Sequence, residues 1–189
     1  MTLVKEDGTG KADANTYADM TDANAYAEKH LYATTWTDAT PDDKKAALAM
    51  ATRMLDANMD WRGYRTTTVQ ALDWPRIYVP DDRFSPYYYV RDPLAPITEF
   101  GVAYPSNAVP VELVNATAEQ ALELLKSNRT ADWSAMGVQS IGLGQGAVDV
   151  SFTPGAEKLV QPLAKQVTAM LTRFGDPKGS RAQARVRRG

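Results

Sequence analysis

Thr40-Pro41-Asp42-Asp43-Lys44-Lys45-Ala46-Ala47-Leu48-Ala49-Met50-Ala51-Thr52-Arg53-Met54-Leu55 decides what kind of fold this chain can adopt. Threonine caps a helix. Proline fits the first helical position, where a missing N–H is harmless, and two carboxylates sit at the positive end of the dipole. Leu48, Ala51, Leu55 and Met59, with Ala47 and Met54 beside them, recur at helical spacing and form one apolar stripe. The spacing predicts a helix over about 41–60, closed by Trp61 and a turn at Gly63.

Further helices flank it. Toward the N-terminus, Ala23, Tyr26, Ala27 and Tyr32 predict a helix over about 22–32, capped by Thr21 and ending before Thr34-Thr35. The first twenty residues, with Gly8, Gly10, Asp7, Asp13 and Asn15, read as an irregular arm that a neighbour must order. Past Gly63, a short helical turn is expected at Val69 to Leu72, stopped by Trp74-Pro75. Pro110 opens a long helix to about Lys126 whose face is Val111, Val114, Ala118, Ala121, Leu122 and Leu125. A last helix over about 161–174 carries Leu163, Val167, Met170, Leu171 and Phe174, with Gly175 as its stop.

Two stretches are not helical. From Ile77 to Ala108, Pro80, Pro86, Pro93, Pro96 and Pro105 break any period, which predicts a long projecting loop with extended pairing near Tyr87 to Val90. Val138, Ile141, Val148, Val150 and Phe152 alternate around Gly142, Gly144 and Gly146 and predict a β-hairpin. The expected fold is mainly α within the α+β class: a small helical bundle with one β-hairpin, a projecting loop and an extended tail. One domain, 1–175, carries a loop insertion at about 77–108, and 176–189 form a basic C-terminal tail.

The chain has 189 residues, no cysteine and a net charge of -2, which excludes disulfides and cysteine-ligated metals. No run approaches the ~18 apolar residues of a membrane span, and the start lacks an apolar signal core. Charge is uneven: after Gly175 come Lys178, Arg181, Arg185, Arg187 and Arg188 against Asp176 alone, so the body without its tail is acidic.

Catalytic material is sparse, and no catalytic, cofactor or metal residue is assigned. Gly142-Leu143-Gly144-Gln145-Gly146 lacks the Lys-Ser/Thr ending of a phosphate loop and lies between strands. His30 is the only histidine and reads as a surface residue at a helix end. Asp7-Gly8-Thr9-Gly10-Lys11-Ala12-Asp13 misses the calcium-loop acids and reads as a turn. The pairs Asp42-Asp43 and Asp81-Asp82 read as solvated charge. Two features stand out. Arg83-Phe84-Ser85-Pro86-Tyr87-Tyr88-Tyr89-Val90-Arg91 interleaves cations with aromatics, as either a base-stacking surface or a protein interface does. An acidic body favours the interface, carried by Phe84, Tyr87, Tyr88, Tyr89 and Arg91. The tail residues Arg181, Arg185, Val186, Arg187 and Arg188 suit a nucleic acid, an acidic protein groove or solvent.

The order of certain blocks resembles a phage family often labelled DnaT-like single-strand DNA-binding. They are Glu6-Asp7-Gly8-Thr9-Gly10, Ala14-Asn15-Thr16-Tyr17, Asp22-Ala23-Asn24-Ala25-Tyr26, Trp61-Arg62-Gly63 and Gln70-Ala71-Leu72-Asp73-Trp74-Pro75-Arg76, the last being the most specific. The resemblance covers most of residues 4–174. That family is similar in size and helical core to head-completion adaptors of tailed bacteriophages. The resemblance then implies a structural virion protein and not an enzyme: a head-tail connector, made in the host cytoplasm. It would form a ring, typically of twelve copies, between portal protein and tail or nozzle protein and line the DNA channel. On this reading the arginine tail docks on the portal, the tyrosine segment meets neighbours or the tail, and genomic DNA passes through unbound. No cofactor and no membrane partner is implied. The alternative is an accessory replication protein that binds single-stranded DNA through the tyrosine segment and the tail.

Overall fold

The computed structural model describes residues 1–81, 103–127, 129, 138–144, 147–152 and 162–178. In chain order the elements are α1 (Met20–Ala27), α2 (Thr34–Asp38), α3 (Pro41–Asn58), β1 (Met59–Trp61), β2 (Tyr64–Arg65) and β3 (Arg76–Ile77). Then follow α4 (Val111–Lys126), β4 (Val138–Gly144), β5 (Ala147–Phe152), α5 (Lys165–Leu171) and β6 (Gly175–Pro177). Among the described residues the strands form three antiparallel pairs, β1–β6, β2–β3 and β4–β5. The fold is mainly helical α+β, as the sequence predicts, and β4–β5 is the expected hairpin.

α3 begins as its sequence dictates. The Thr40 hydroxyl accepts the Asp43 N–H at 3.2 Å and donates to the Asp43 carboxylate at 2.7 Å. Ala47, Leu48, Ala51, Met54, Leu55 and Met59 are all buried. The stripe packs on α4, which also touches α1, α2 and α5. A helix with neighbours on several sides is buried beyond one stripe, and here the expected face needs correction. Val111 is exposed, while Leu113, Ala116, Thr117, Glu119 and Gln120 are buried. The Gln120 amide donates to Pro162 O at 2.9 Å and accepts from Ala164 N at 3.0 Å, fixing the start of α5 against α4.

Other boundaries also differ from expectation. Asp19, not Thr21, caps α1, accepting from the N–H groups of Thr21 and Asp22 in a reciprocal capping box with Asp22. The helix stops at Ala27, and the Thr34-Thr35 pair begins α2 instead of following a helix end. Residues 69–72 form bends and no helical turn. α5 is shorter than predicted, and Gly175 opens β6 instead of ending a helix. A side-chain carbon at Gly175 would lie 2.6 Å from Asp60 O, so only glycine lets β6 pair this closely with β1. The body thus continues to Lys178, whose ammonium reaches Ala57 O at 2.8 Å and Asp56 O at 3.2 Å at the negative end of α3.

The N-terminal twenty residues are not an arm awaiting a neighbour. Glu6, with no exposed surface, accepts from Gly8 N at 2.8 Å and Gly10 N at 2.9 Å through one oxygen, and from Lys11 N at 2.8 Å through the other. The loop therefore wraps around its own carboxylate. Gly8 has φ +101°, and a side-chain carbon there would lie 2.1 Å from Asn107 O. Tyr17 is fully buried; its hydroxyl donates to Asp56 at 2.7 Å and accepts from Trp74 N at 3.1 Å.

Asp56 is the hub of this network and also accepts from Asp73 N at 3.1 Å. Burial raises its pKa from 3.8 to about 6 against the pull of the Tyr17 hydrogen bond, with Asp73 adding to the rise. Between those values the folded protein keeps a proton that the unfolded chain releases. Asp56 therefore favours folding fully below the window, and that contribution is lost as pH rises through about 6. A shift near two pH units corresponds to about 3 kcal/mol. Asp56→Asn carries a constant penalty for turning an amide N–H toward Asp73 N, but it removes the titration. Urea unfolding should show the variant gaining on the wild type by up to about 3 kcal/mol between about pH 4 and pH 7. A pH-independent difference would exclude Asp56 as the titrating group.

Candidate nucleic-acid interface

β1 runs into Arg62-Gly63 and then the β2–β3 ribbon, with Tyr64 opposite Ile77 and Arg65 opposite Arg76. Gly63 has φ +71°, and a side-chain carbon there would lie 2.1 Å from Ile77 O. Residues 66–75 close the ribbon through polar side chains. The buried Gln70 amide donates to Leu72 O at 2.9 Å and Pro75 O at 3.1 Å and accepts from Thr67 N at 2.8 Å. Arg65 donates to Gln70 O and Leu72 O at 2.8 and 2.9 Å. Arg76 donates to Arg62 O at 2.8 Å, Asp73 O at 3.0 Å and Gly63 O at 2.7 Å. The Trp74-Pro75 peptide is cis, and Trp74 is fully buried. The block Gln70 to Arg76, which carries the resemblance most specifically, is therefore the brace of the ribbon.

The ribbon's outward chemistry is aromatic and cationic. Tyr64 is 69% and Tyr78 55% exposed, and their rings meet edge to face with centroids 6.5 Å apart. Tyr78 has φ +59°, a left-handed conformation that costs a bulky residue about 1–2 kcal/mol. Arg62, Arg65 and Arg76 satisfy their N–H groups largely on backbone carbonyls, which leaves their charge in place. Asp73, 3.6 Å from Arg65, and the buried Asp56 offset part of it. Burial lowers the Arg76 pKa, and the two aspartates oppose that shift.

The structure reaches some of the sequence-derived candidates. Phe84, Tyr87, Tyr88, Tyr89 and Arg91 lie outside the described residues, as do Arg181, Arg185, Val186, Arg187, Arg188 and any pairing at Tyr87 to Val90. What is described is their attachment. Pro80 bridges Ala103, and Tyr104 N donates to Val79 O at 2.8 Å, so the residues flanking 82–102 pair with each other next to the ribbon. Asp81 is buried, unlike the solvated loop charge expected, whereas Asp42 is exposed beside Lys45. His30 lies beyond the end of α1, with Nε2 3.4 Å from the buried Glu119 carboxylate, which also accepts from Tyr26. Sequence reading missed Tyr64 and Tyr78. The signal was present, since Trp61-Arg62-Gly63-Tyr64-Arg65 and Arg76-Ile77-Tyr78 interleave aromatics with cations as 83–91 do.

Fold and ribbon together define a small α+β domain that displays aromatic rings on a rigid two-stranded mount. The chain belongs to the family described as "Putative DnaT-like ssDNA binding protein", whose model matches residues 1–189. No curated protein and no solved structure matches it. This finding corrects the virion reading. A family described by single-strand binding conflicts with a bacteriophage head-tail connector, with portal, tail or nozzle partners, with a twelve-copy ring and with DNA sliding past unbound. The physical error lay in equating an acidic composition with a repelling surface. Several of the acids are engaged by the fold: Glu6 holds backbone N–H groups, Asp19 caps α1, Asp56 sits against Tyr17, and Glu123 pairs with Lys126 and Arg129.

Proposed function

We propose that the protein binds single-stranded DNA without sequence preference and performs no chemistry on it. The observation that carries this reading is the exposed Tyr64–Tyr78 pair on a ribbon braced by arginines. Unpaired bases present open aromatic faces, and stacking on tyrosine is indifferent to base identity. The family description supports the same ligand. The arginines at 181, 185, 187 and 188 supply phosphate contacts, and the Arg83 to Arg91 segment offers further aromatic rings.

Fluorescence anisotropy with labelled oligo(dT) and with a duplex of equal length tests it. Single strands should bind at about micromolar Kd or tighter and duplex more weakly, with affinity falling as salt rises. Truncation after Lys178 should flatten the logarithmic salt slope by about 0.7 for each arginine that held a phosphate. Equal binding of both probes, or of neither, would reject the reading.

A further inference from the structure

We infer that Tyr64 and Tyr78 form a slot for one unstacked base, and that the left-handed backbone at Tyr78 is the device that builds it. This rests on the single-strand reading and adds that the ribbon's ligand is the base itself, not the phosphate backbone. Side chains alternate along a strand. Tyr64 lies directly across from Ile77, so regular backbone would send the next side chain to the opposite face. At Tyr78 φ is +59°, and its ring instead lies 6.5 Å from that of Tyr64 at an interplanar angle of 83°.

Strain of this kind persists where the surroundings impose it, and it concentrates at functional positions. Burial does not explain it here, because both residues are more than half exposed. Nor does hydrogen bonding, since neither hydroxyl bonds to another described residue. The surroundings do over-determine the turn. Gly63 packs against Ile77 O and Tyr78 C, and Val79, fully buried, fixes the chain on the far side. An edge-to-face pair sets two aromatic walls at nearly a right angle, here 83°. A planar base can stack on one wall and set its edge against the other. A base within a duplex has both faces covered and cannot enter.

The test uses the full chain with Tyr78→Gly, Tyr78→Phe and Tyr64→Leu. The probes are oligo(dT) and an abasic strand of equal length and phosphate count. Tyr78→Gly should keep or raise Tm, because glycine adopts this φ freely, yet bind oligo(dT) about tenfold or more weakly. Tyr64→Leu should weaken it similarly, while Tyr78→Phe should bind as the wild type does. The abasic strand should bind the wild type about tenfold more weakly than oligo(dT) and should not distinguish the variants. Wild-type oligo(dT) affinity in Tyr78→Gly would overturn the slot and leave the single-strand reading intact. Equal losses on both probes would show a backbone contact and also overturn it, and loss in Tyr78→Phe would replace stacking with hydrogen bonding. A wild type that binds neither probe would overturn the slot and the single-strand reading together.

Discussion

Glu6→Ala is expected to bring the domain to the edge of unfolding. Three backbone N–H groups, of Gly8, Gly10 and Lys11, converge on the Glu6 carboxylate, and Glu6 itself has no exposed surface. Each donor left without an acceptor costs about 1–3 kcal/mol, so the variant should lose roughly 3–9 kcal/mol. That compares with a total stability of about 5–15 kcal/mol for an ordinary domain. Urea unfolding followed by circular dichroism reads the loss directly. Glu6→Gln should fall between the two, because an amide oxygen can still accept from Gly8 and Gly10 while its NH2 opposes Lys11 N. A loss below about 1 kcal/mol for the alanine variant would mean that the loop finds other acceptors.

The second large effect is expected at Trp74. Its ring is fully buried and meets Trp61, Tyr104 and Phe174 edge to face, with centroids 6.1, 5.9 and 5.6 Å away. These partners come from β1, from the return of the chain after 102, and from the turn that leads into β6. Trp74→Ala removes the keystone of that aromatic cluster and should cost about 3–5 kcal/mol. Trp74→Phe keeps a ring in place and deletes an indole N–H that no described residue accepts, so its loss should be clearly smaller. If the two variants unfold at the same urea concentration, ring packing is not what Trp74 contributes.

What could be read from the sequence was whatever follows a period or a local rule. α3 has both, with a Thr-Pro-Asp-Asp entry and apolar residues at helical spacing. The β4–β5 hairpin has alternation with glycines between. What escaped is order that polar groups impose over distance. Residues 1–19 carry little apolar periodicity, and their structure comes from Glu6 gathering nearby amides and from Tyr17 reaching Asp56. Gln70 and Arg76 do the same for 66–75, replacing an expected helical turn. α4 was placed within a residue of its true limits but given too narrow a face: Ala118, Ala121 and Leu122 are buried as expected, and only Val111 is exposed. Leu113 and Gln120 turn inward because α5 packs on a side that a single-stripe reading leaves to solvent.

The chemistry of the ribbon was only partly legible in the sequence. Aromatics interleaved with cations suit either base stacking or a protein interface; only the densest run, 83–91, was weighed, and the interface was favoured for it. The dispersed set at 61–65 and 76–78 becomes a surface only when strand pairing brings Tyr64 and Tyr78 together. Charge misled for a related reason. A sum over residues cannot see that carboxylates such as Glu6 and Glu119 are buried and engaged within the fold.

The β1–β6 pairing also constrains how the protein can be made. Met59 and Trp61 find their partners only at Pro177 and Gly175, and the buried cluster around Trp74 is completed by Leu163, Val167, Leu171 and Phe174. On a ribosome, α1 to α4 emerge and can begin to collapse, yet the cluster around Trp74 stays open on one side until residues 163–177 have followed. Such distant closure slows folding. It leaves Trp74 and Leu55 exposed to chaperones until then, and a nascent chain arrested before residue 162 should remain protease-sensitive at β1.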